Sequence, residues 1–251
     1  MKRRYMRLIN WYIVLGSSLV VLSLIVYFVQ ILIFQRTEET LFYMLQDLAF
    51  VPMQVLLVTL IISGLLNMRE KSLRLEKLNM VIGTFFSEVG TRLIAYFSDF
   101  DPQLGTLKKD LIVTKDWSDQ EFVSVSKRLK KYNYQVEIKR VDLEHLRIFL
   151  MGKRDFLVRL LENPILLEHE SFTELLMAVF HLTEELAARE DLQALPDTDR
   201  QHLAGDVKRA YNLLVHEWLN YMQHLKDNYP YLFSLAMRTN PFDQDASVIV
   251  K

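Results

Sequence analysis

Histidine is the side chain in this sequence that is best suited to bind a metal ion or to transfer a proton near neutral pH. The chain has six histidines and no cysteine, so any metal site must be built from imidazole and carboxylate groups. The six are His145, His169, His181, His202, His216 and His224. Their positions place any such chemistry in the second half of the chain.

Two predicted helices each combine a histidine with a nearby glutamate: His181 with Glu185 on one, and His216 with Glu217 on the next. Neighbouring helices of a bundle can bring such side chains together around a metal ion. The sequence lacks the repeated Glu-x-x-His motif of di-iron bundles and the His-Glu-x-x-His motif of zinc proteases. A metal site at these four residues is therefore a hypothesis, and a metal-dependent enzyme is an alternative function.

Other catalytic motifs are missing from the sequence. It contains no glycine-rich phosphate loop, no Gly-x-Ser-x-Gly turn and no kinase signature. Without cysteine it has no disulfide, thiolate zinc site, iron–sulfur cluster or Cys nucleophile. The formal charge of -1 gives no overall attraction to nucleic acid. We therefore expect a non-catalytic protein with no cofactor and no nucleic-acid partner.

Charge is unevenly distributed along the second half of the chain. Residues 108–159 carry 13 Lys or Arg and 8 Asp or Glu, whereas residues 162–206 carry 2 and 11. The densest basic run consists of Lys127, Arg128, Lys130 and Lys131. Such a run can lie against anionic lipid headgroups, and it can equally be a solvated helix end that suits the helix dipole.

Two long apolar stretches precede this region. Residues 11–34 contain no charged side chain, and residues 48–66 are also uncharged, with Leu45 extending the second stretch. At about 1.5 Å per residue each can cross the ~30 Å hydrocarbon layer as a helix. The apolar core of the first stretch is too long for a signal peptide. The sequence predicts a transmembrane hairpin over 11–66, with spans at about 11–34 and 45–66.

The positive charges predict the orientation of this hairpin. Four cations precede the first span (Lys2, Arg3, Arg4, Arg7) and four follow the second (Arg69, Lys71, Arg74, Lys77), whereas the connecting loop has Arg36 against Glu38, Glu39 and Asp47. Lys and Arg near membrane ends are retained in the cytoplasm. We therefore expect a multi-pass protein of the inner (plasma) membrane with both termini in the cytoplasm.

The rest of the chain is predicted to be mainly α-helical. A stalk helix over 67–100 carries an apolar stripe at steps of three and four residues, with Gly83 and Gly90 placed for close approach by a neighbour. A cytoplasmic helical domain follows over 101–242, with helix caps predicted at Ser118, Asp142, Ser171 and Thr198. The alternation of Tyr134, Val136 and Ile138 allows at most one short β element. Residues 1–10 form a basic flank and residues 243–251 a tail.

Together these patterns favour a membrane-anchored helical interaction or regulatory protein that self-associates. Its expected partners are the lipid bilayer, a second copy of the chain and a cytoplasmic protein. The first alternative is a small channel or transporter subunit acting as an oligomer, for which Gln54 and Asp47 are the polar residues to test.

Overall fold

The computed structural model describes residues 2–164, 166 and 169–249, with side chains except those of residues 2–13, 71–77 and 106. The cations predicted to flank the hairpin at Lys2, Arg3, Arg4 and Arg7 and at Lys71, Arg74 and Lys77 thus lie outside the described side chains. Val250 and Lys251 of the predicted tail lie outside the described residues. The described chain is mainly helical and contains no strand, so the mainly α prediction is confirmed. It divides into two compact units, residues 1–70 and 71–251.

The first unit is formed by two antiparallel helices. Helix α1 covers Lys2–Phe34, and α2 covers Thr37–Phe85, ending inside the second unit. Gln35 between them has φ 51°, the left-handed conformation in which many helices terminate, and its N–H donates to Ile31 O at 2.9 Å. The Tyr27 hydroxyl of α1 donates to Asp47 Oδ2 of α2 at 3.0 Å. The first bond closes the end of α1, and the second joins the two helices of the hairpin.

The second unit is a bundle of helices around one core. After α2 come a π-helical turn Phe86–Gly90, α3 Thr91–Ser98, short 3₁₀ turns at Leu104–Thr106 and Lys108–Leu111, α4 Asp119–Leu129, a 3₁₀ turn Ile138–Arg140, α5 Leu143–Leu161, α6 Glu170–Ala187, α7 Asp197–Asn228 and α8 Pro230–Arg238. Helix α7 lies at the centre and packs on α3, α4, α6 and α8, while α5 packs on α6. The inward face of α7 contributes five buried side chains to the core: Leu203, Val207, Tyr211, Leu214 and Trp218.

Helix starts were predicted with mixed success. Ser118 forms a capping box with Glu121, and Asp142 Oδ1 accepts from His145 N at 2.9 Å, as the sequence indicates. At α6, however, the helix begins earlier than predicted, and His169 Nδ1 accepts from Phe172 N in place of Ser171. Helix α7 follows Pro196 without a side-chain cap. Thr198 lies inside the first turn of α7, so the cap predicted there is wrong.

The apolar stripe of the predicted stalk lies in the core of the second unit. Leu78, Ile82, Phe85, Val89 and Leu93 are all buried, whereas the side chain of Leu75 is outside the described set. This segment is therefore a core helix of the bundle, and its stripe packs as the spacing predicted.

The two glycines of this segment meet different neighbours. A Cβ on Gly83 would lie 2.9 Å from the Tyr221 hydroxyl of α7, so an adjacent helix does approach closely there. A Cβ on Gly90 would lie 2.5 Å from Phe86 Cδ1 and 2.9 Å from Phe85 Cε1, both in its own segment. The π-helical turn thus brings two aromatic rings over Gly90.

The alternating segment at Tyr134–Ile138 does not form a strand in the described residues. Glu137 N donates to Phe100 O at 2.9 Å, and Ile138 opens a 3₁₀ turn instead of extending further. Tyr134 is buried because its ring packs edge-on against Tyr211, with centroids 5.2 Å apart. The alternation of the sequence therefore reflects one buried aromatic contact and not a sheet.

Candidate functional site

Helices α6 and α7 each present a histidine and a carboxylate four residues apart. His181 and Glu185 lie on α6, and His202 and Asp206 lie on α7. Residues four apart share a helix face, and α6 and α7 pack directly on each other. The two helices follow each other through the connection 188–196 and run antiparallel, so positions later on α6 face positions earlier on α7. His181 therefore lies opposite Asp206, and Glu185 opposite His202.

The distances confirm this crosswise arrangement. His181 Nε2 lies 3.6 Å from Asp206 Oδ1 and 3.7 Å from Glu185 Oε1. His202 Nε2 lies 3.4 Å from Asp206 Oδ2 and 3.5 Å from Glu185 Oε2. One ligand atom each from His181, His202 and Asp206 lies within 4.8 Å of the other two. We call these three residues the His–His–Asp cluster.

Asp206 is the buried member of the cluster, with 3% of its side chain exposed. Arg209 Nη1 donates to its Oδ1 at 3.1 Å. Its Oδ2 is buried and accepts no hydrogen bond from any described residue. A buried carboxylate oxygen without a donor is costly. It is therefore the strongest indication in the cluster that something else belongs there.

Arg189 holds the neighbouring carboxylates in place. Its guanidinium donates to both oxygens of Asp199, at 2.6 and 2.7 Å, and to Glu185 Oε2 at 2.8 Å. These hydrogen bonds lower the pKa of Asp199 and of Glu185 and raise the pKa of Arg189. Glu185 is thus fixed as an anion beside the His–His–Asp cluster.

The cluster is open to solvent on its histidine side. The side chains of His181 and His202 are 45% and 54% exposed. The charged groups around it are the carboxylates of Asp206, Glu185 and Asp199 and the guanidinium groups of Arg189 and Arg209. A cation can therefore reach the imidazole nitrogens from solvent at a site with one more carboxylate than guanidinium.

Of the four metal ligands predicted from the sequence, the structure brings His181 and Glu185 into this site. His216 and Glu217 lie on α7 about ten residues beyond Asp206, roughly 15 Å along the helix axis. His216 Nδ1 instead lies 2.8 Å from Asn212 O, and Glu217 is buried. Their places are taken by His202 and Asp206.

The sequence contained a signal for this pairing. The pair His181–Asp206 and the pair Glu185–His202 are centred on the same point of the sequence, between Gln193 and Ala194 in the α6–α7 connection. A pairing of His181 or Glu185 with His216 would be centred inside α7 itself. Of the histidines on α7, the antiparallel register therefore favours His202 as the one that faces Glu185.

The basic run lies at the end of α4. Lys127, Arg128, Lys130 and Lys131 are all exposed around the buried Leu129. Arg128 Nε forms an ion pair with Asp110 Oδ2 at 3.4 Å. The run is therefore a charged surface at a helix C-terminus, where cations are favourable to the dipole.

A second histidine site lies between α7, α8 and the end of α2. His224 Nδ1 lies 3.2 Å from Asn79 Nδ2 and 3.1 Å from Asn228 Nδ2, while its Nε2 is buried without a partner among the described residues. Burial lowers the pKa of His224, and Asp227 opposes that shift. It is a single imidazole with amide neighbours and offers no ligand set for a metal.

These features define a class: a helical protein with two helices long and apolar enough to cross a membrane, followed by a helical bundle. The chain belongs to the MJ1433 family. Residues 4–66 match the family model "MJ1433, N-terminal helical domain", and residues 74–238 match "Uncharacterized protein MJ1433, C-terminal helical domain".

The curated protein "Uncharacterized protein MJ1433" of Methanocaldococcus jannaschii is 47% identical to the chain over 247 residues, which covers 98% of the chain and 97% of the relative. No solved structure matches the chain significantly.

Proposed function

We propose that this protein is a membrane-anchored helical interaction or regulatory protein, with a two-helix transmembrane hairpin and a cytoplasmic helical domain. The observation that carries the proposal is the surface of the first unit. The apolar stretches Val14–Phe34 and Thr37–Glu70 are helical, and nearly all their described side chains are exposed.

Exposure on this scale favours a lipid environment. Leu22, Phe28, Leu45, Leu57 and Leu65 are each more than half exposed. A soluble monomer rarely shows apolar patches larger than a few hundred Å², and fully burying each side chain of this size is worth about 1.5–3 kcal/mol. A bilayer covers all sides of such helices at once, and each helix satisfies its own backbone hydrogen bonds internally.

The contacts of the polar groups in the hairpin favour an anchoring role and not a role as an ion pathway. Asp47 is engaged by the Tyr27 hydroxyl of the adjacent helix, and Thr40 Oγ1 donates to Arg36 O at 3.0 Å near the turn. A pathway ordinarily requires ionisable groups facing a cavity near the membrane centre. The channel alternative requires ion flux in reconstituted liposomes that is lost when Asp47 or Gln54 is replaced.

Self-association has a structural basis in the hairpin. Outside the backbone of its own helix and its chain neighbours, no described atom lies within 4 Å of a Cβ built on Gly16 or Gly64. Small residues on lipid-facing helix surfaces allow close packing of another helix. A second copy of the hairpin therefore has an accessible surface on each span. The helical domain would then present its basic and acidic segments to a cytoplasmic protein partner or to lipid headgroups.

Extraction of membranes at alkaline pH tests the anchor. We expect the full chain to remain in the membrane pellet after a carbonate wash, because two spanning helices are not released by loss of surface charge. A variant with Lys127, Arg128, Lys130 and Lys131 changed to Gln should remain there as well. A variant with Leu22→Arg and Leu57→Arg should insert poorly, since each central arginine costs about 2.5–3.5 kcal/mol. Release of the wild-type chain by the wash would overturn the proposal.

A further inference from the structure

We propose that the His–His–Asp cluster binds one divalent transition-metal ion of the zinc class, with His181 Nε2, His202 Nε2 and Asp206 Oδ2 as ligands. The fourth coordination position faces solvent beside Glu185. This inference goes beyond anchoring and does not depend on it, because all four residues lie within the helical domain.

The ligand atoms already converge, and one pair stands at tetrahedral spacing. Ligands at 2.0–2.1 Å from zinc stand about 3.3–3.4 Å from one another, and His202 Nε2 lies 3.4 Å from Asp206 Oδ2. His181 Nε2 lies 3.6 Å from the other oxygen of Asp206, Oδ1, and one ligand atom from each of the three residues lies within 4.8 Å of the other two. Binding an ion at Oδ2 therefore requires a movement of His181, whose side chain is 45% exposed.

The burial of Asp206 Oδ2 and its lack of a hydrogen bond from the described residues distinguish this cluster from an ordinary surface ion pair. Arg209 already occupies Oδ1, whereas the buried Oδ2 accepts no hydrogen bond from the described part of the chain. A metal ion at the proposed position would satisfy Oδ2 and use the imidazole nitrogens that converge on it. Protonated histidines could also compensate the charge, and the test below separates the two cases.

The ligand types select the class of metal. Two imidazoles and one carboxylate suit Zn²⁺, Co²⁺, Ni²⁺ or Cu²⁺. Ca²⁺ and Mg²⁺ prefer oxygen ligands, of which this cluster offers too few. We therefore expect binding of zinc-class ions and none of comparable strength for Mg²⁺.

Glu185 is placed beside the ion and not in its ligand set. Its carboxylate is not in the group of ligand atoms that lie within 4.8 Å of one another, and its Oε2 already accepts a hydrogen bond from Arg189 at 2.8 Å. In its observed position Glu185 can accept a hydrogen bond from a water molecule in the fourth position. Such hydrogen bonds around a metal site commonly change affinity by about 10–100-fold.

Metal titration of the purified full chain in detergent tests this proposal. After removal of metal with a chelator, we expect one Zn²⁺ per chain by calorimetry and one Co²⁺ with the visible absorption of a tetrahedral site. His202→Ala and Asp206→Asn should weaken binding at least 100-fold, and Glu185→Gln about tenfold. His216→Ala is the matched control, because His216 lies on the same helix outside the cluster, and it should bind as the wild type does.

Three results would overturn the proposal. The first is a folded wild-type chain, checked by circular dichroism, that takes up no stoichiometric Zn²⁺ or Co²⁺ near neutral pH. The second is equal loss of binding in His216→Ala and His202→Ala. The third is undiminished binding in both single variants, Asp206→Asn and His202→Ala, which would show that the ion is held elsewhere. The first of these would leave the cluster as a set of histidine–carboxylate ion pairs.

Discussion

At the scale of single residues, the identity of a neighbour decides what a polar side chain can do. Asp206 and Glu185 are both carboxylates facing the same two histidines, yet Arg189 satisfies Glu185 whereas Asp206 Oδ2 remains without a donor among the described residues. This difference depends on where an arginine one turn beyond Glu185 points. Sequence spacing identified His181 and Glu185 as candidates but could not reveal which carboxylate lacks a partner.

His224 gives a prediction about pH. Burial lowers its pKa below the ordinary value of 6.5, so the unfolded chain binds a proton more readily than the folded chain does. The stability that this residue contributes is complete above about pH 6.5 and is lost as the pH falls toward the folded pKa. We expect thermal unfolding in detergent to show a steeper loss of stability between about pH 7.5 and 5.5 in the wild type than in His224→Gln.

The groups that face His224 make this test specific. Asn79 and Asn228 are neutral, and Asp227, which opposes the shift, is present in both proteins. An identical pH dependence in wild type and His224→Gln would show that His224 is not held neutral by burial.

At the scale of the elements, the π-helical turn Phe86–Gly90 depends on the absence of a side chain at Gly90. A Cβ there would overlap Phe86 Cδ1 at 2.5 Å and crowd Phe85 Cε1 at 2.9 Å. Both rings are buried and cannot move without disturbing the core. Gly90→Ala should therefore destabilise the bundle by about 1–3 kcal/mol, the typical cost of overpacking a core.

Gly152 in α5 provides the matched control for this substitution. It lies in the interior of a helix, and outside its chain neighbours and the backbone of its own helix no described atom lies within 4 Å of a Cβ built on it. Gly152→Ala should stabilise the bundle by about 0.5–1 kcal/mol through helix propensity. Unfolding midpoints of the two variants should therefore move in opposite directions, and a Gly90→Ala variant as stable as the wild type would refute the close packing at the π-helical turn.

The helices themselves were largely predictable, because their apolar residues recur at helical spacing and several begin with recognisable caps. Helix α5, for example, begins directly after Asp142, the cap that the sequence predicts, and ends at Leu161. The short element at Tyr134 was harder, since two-residue alternation arises equally from a strand and from one buried tyrosine in an extended connection. The pairing of α6 with α7 could be predicted, but its register required knowing where the connecting loop lies.

At the scale of the whole molecule, composition and charge carry the functional argument. The two apolar helices are exposed along nearly all their described side chains, and the basic flanks favour a cytoplasmic location for both ends. The helical domain adds an acidic segment with a candidate metal site and a basic run on a different helix. Both candidate surfaces belong to the second unit, so a soluble partner or ion could reach them from the cytoplasm under the proposed topology.

The absence of cysteine permits the most direct test of the proposed hairpin. Single cysteines can be introduced at Glu38 near the turn, at Leu56 in the second apolar stretch and at Ser124 on α4, and then probed with a membrane-impermeant maleimide. The account predicts that Glu38→Cys reacts in intact cells, that Ser124→Cys reacts only after permeabilisation, and that Leu56→Cys reacts only after denaturation. Labelling of Ser124→Cys in intact cells, or of Leu56→Cys in the folded protein, would contradict it.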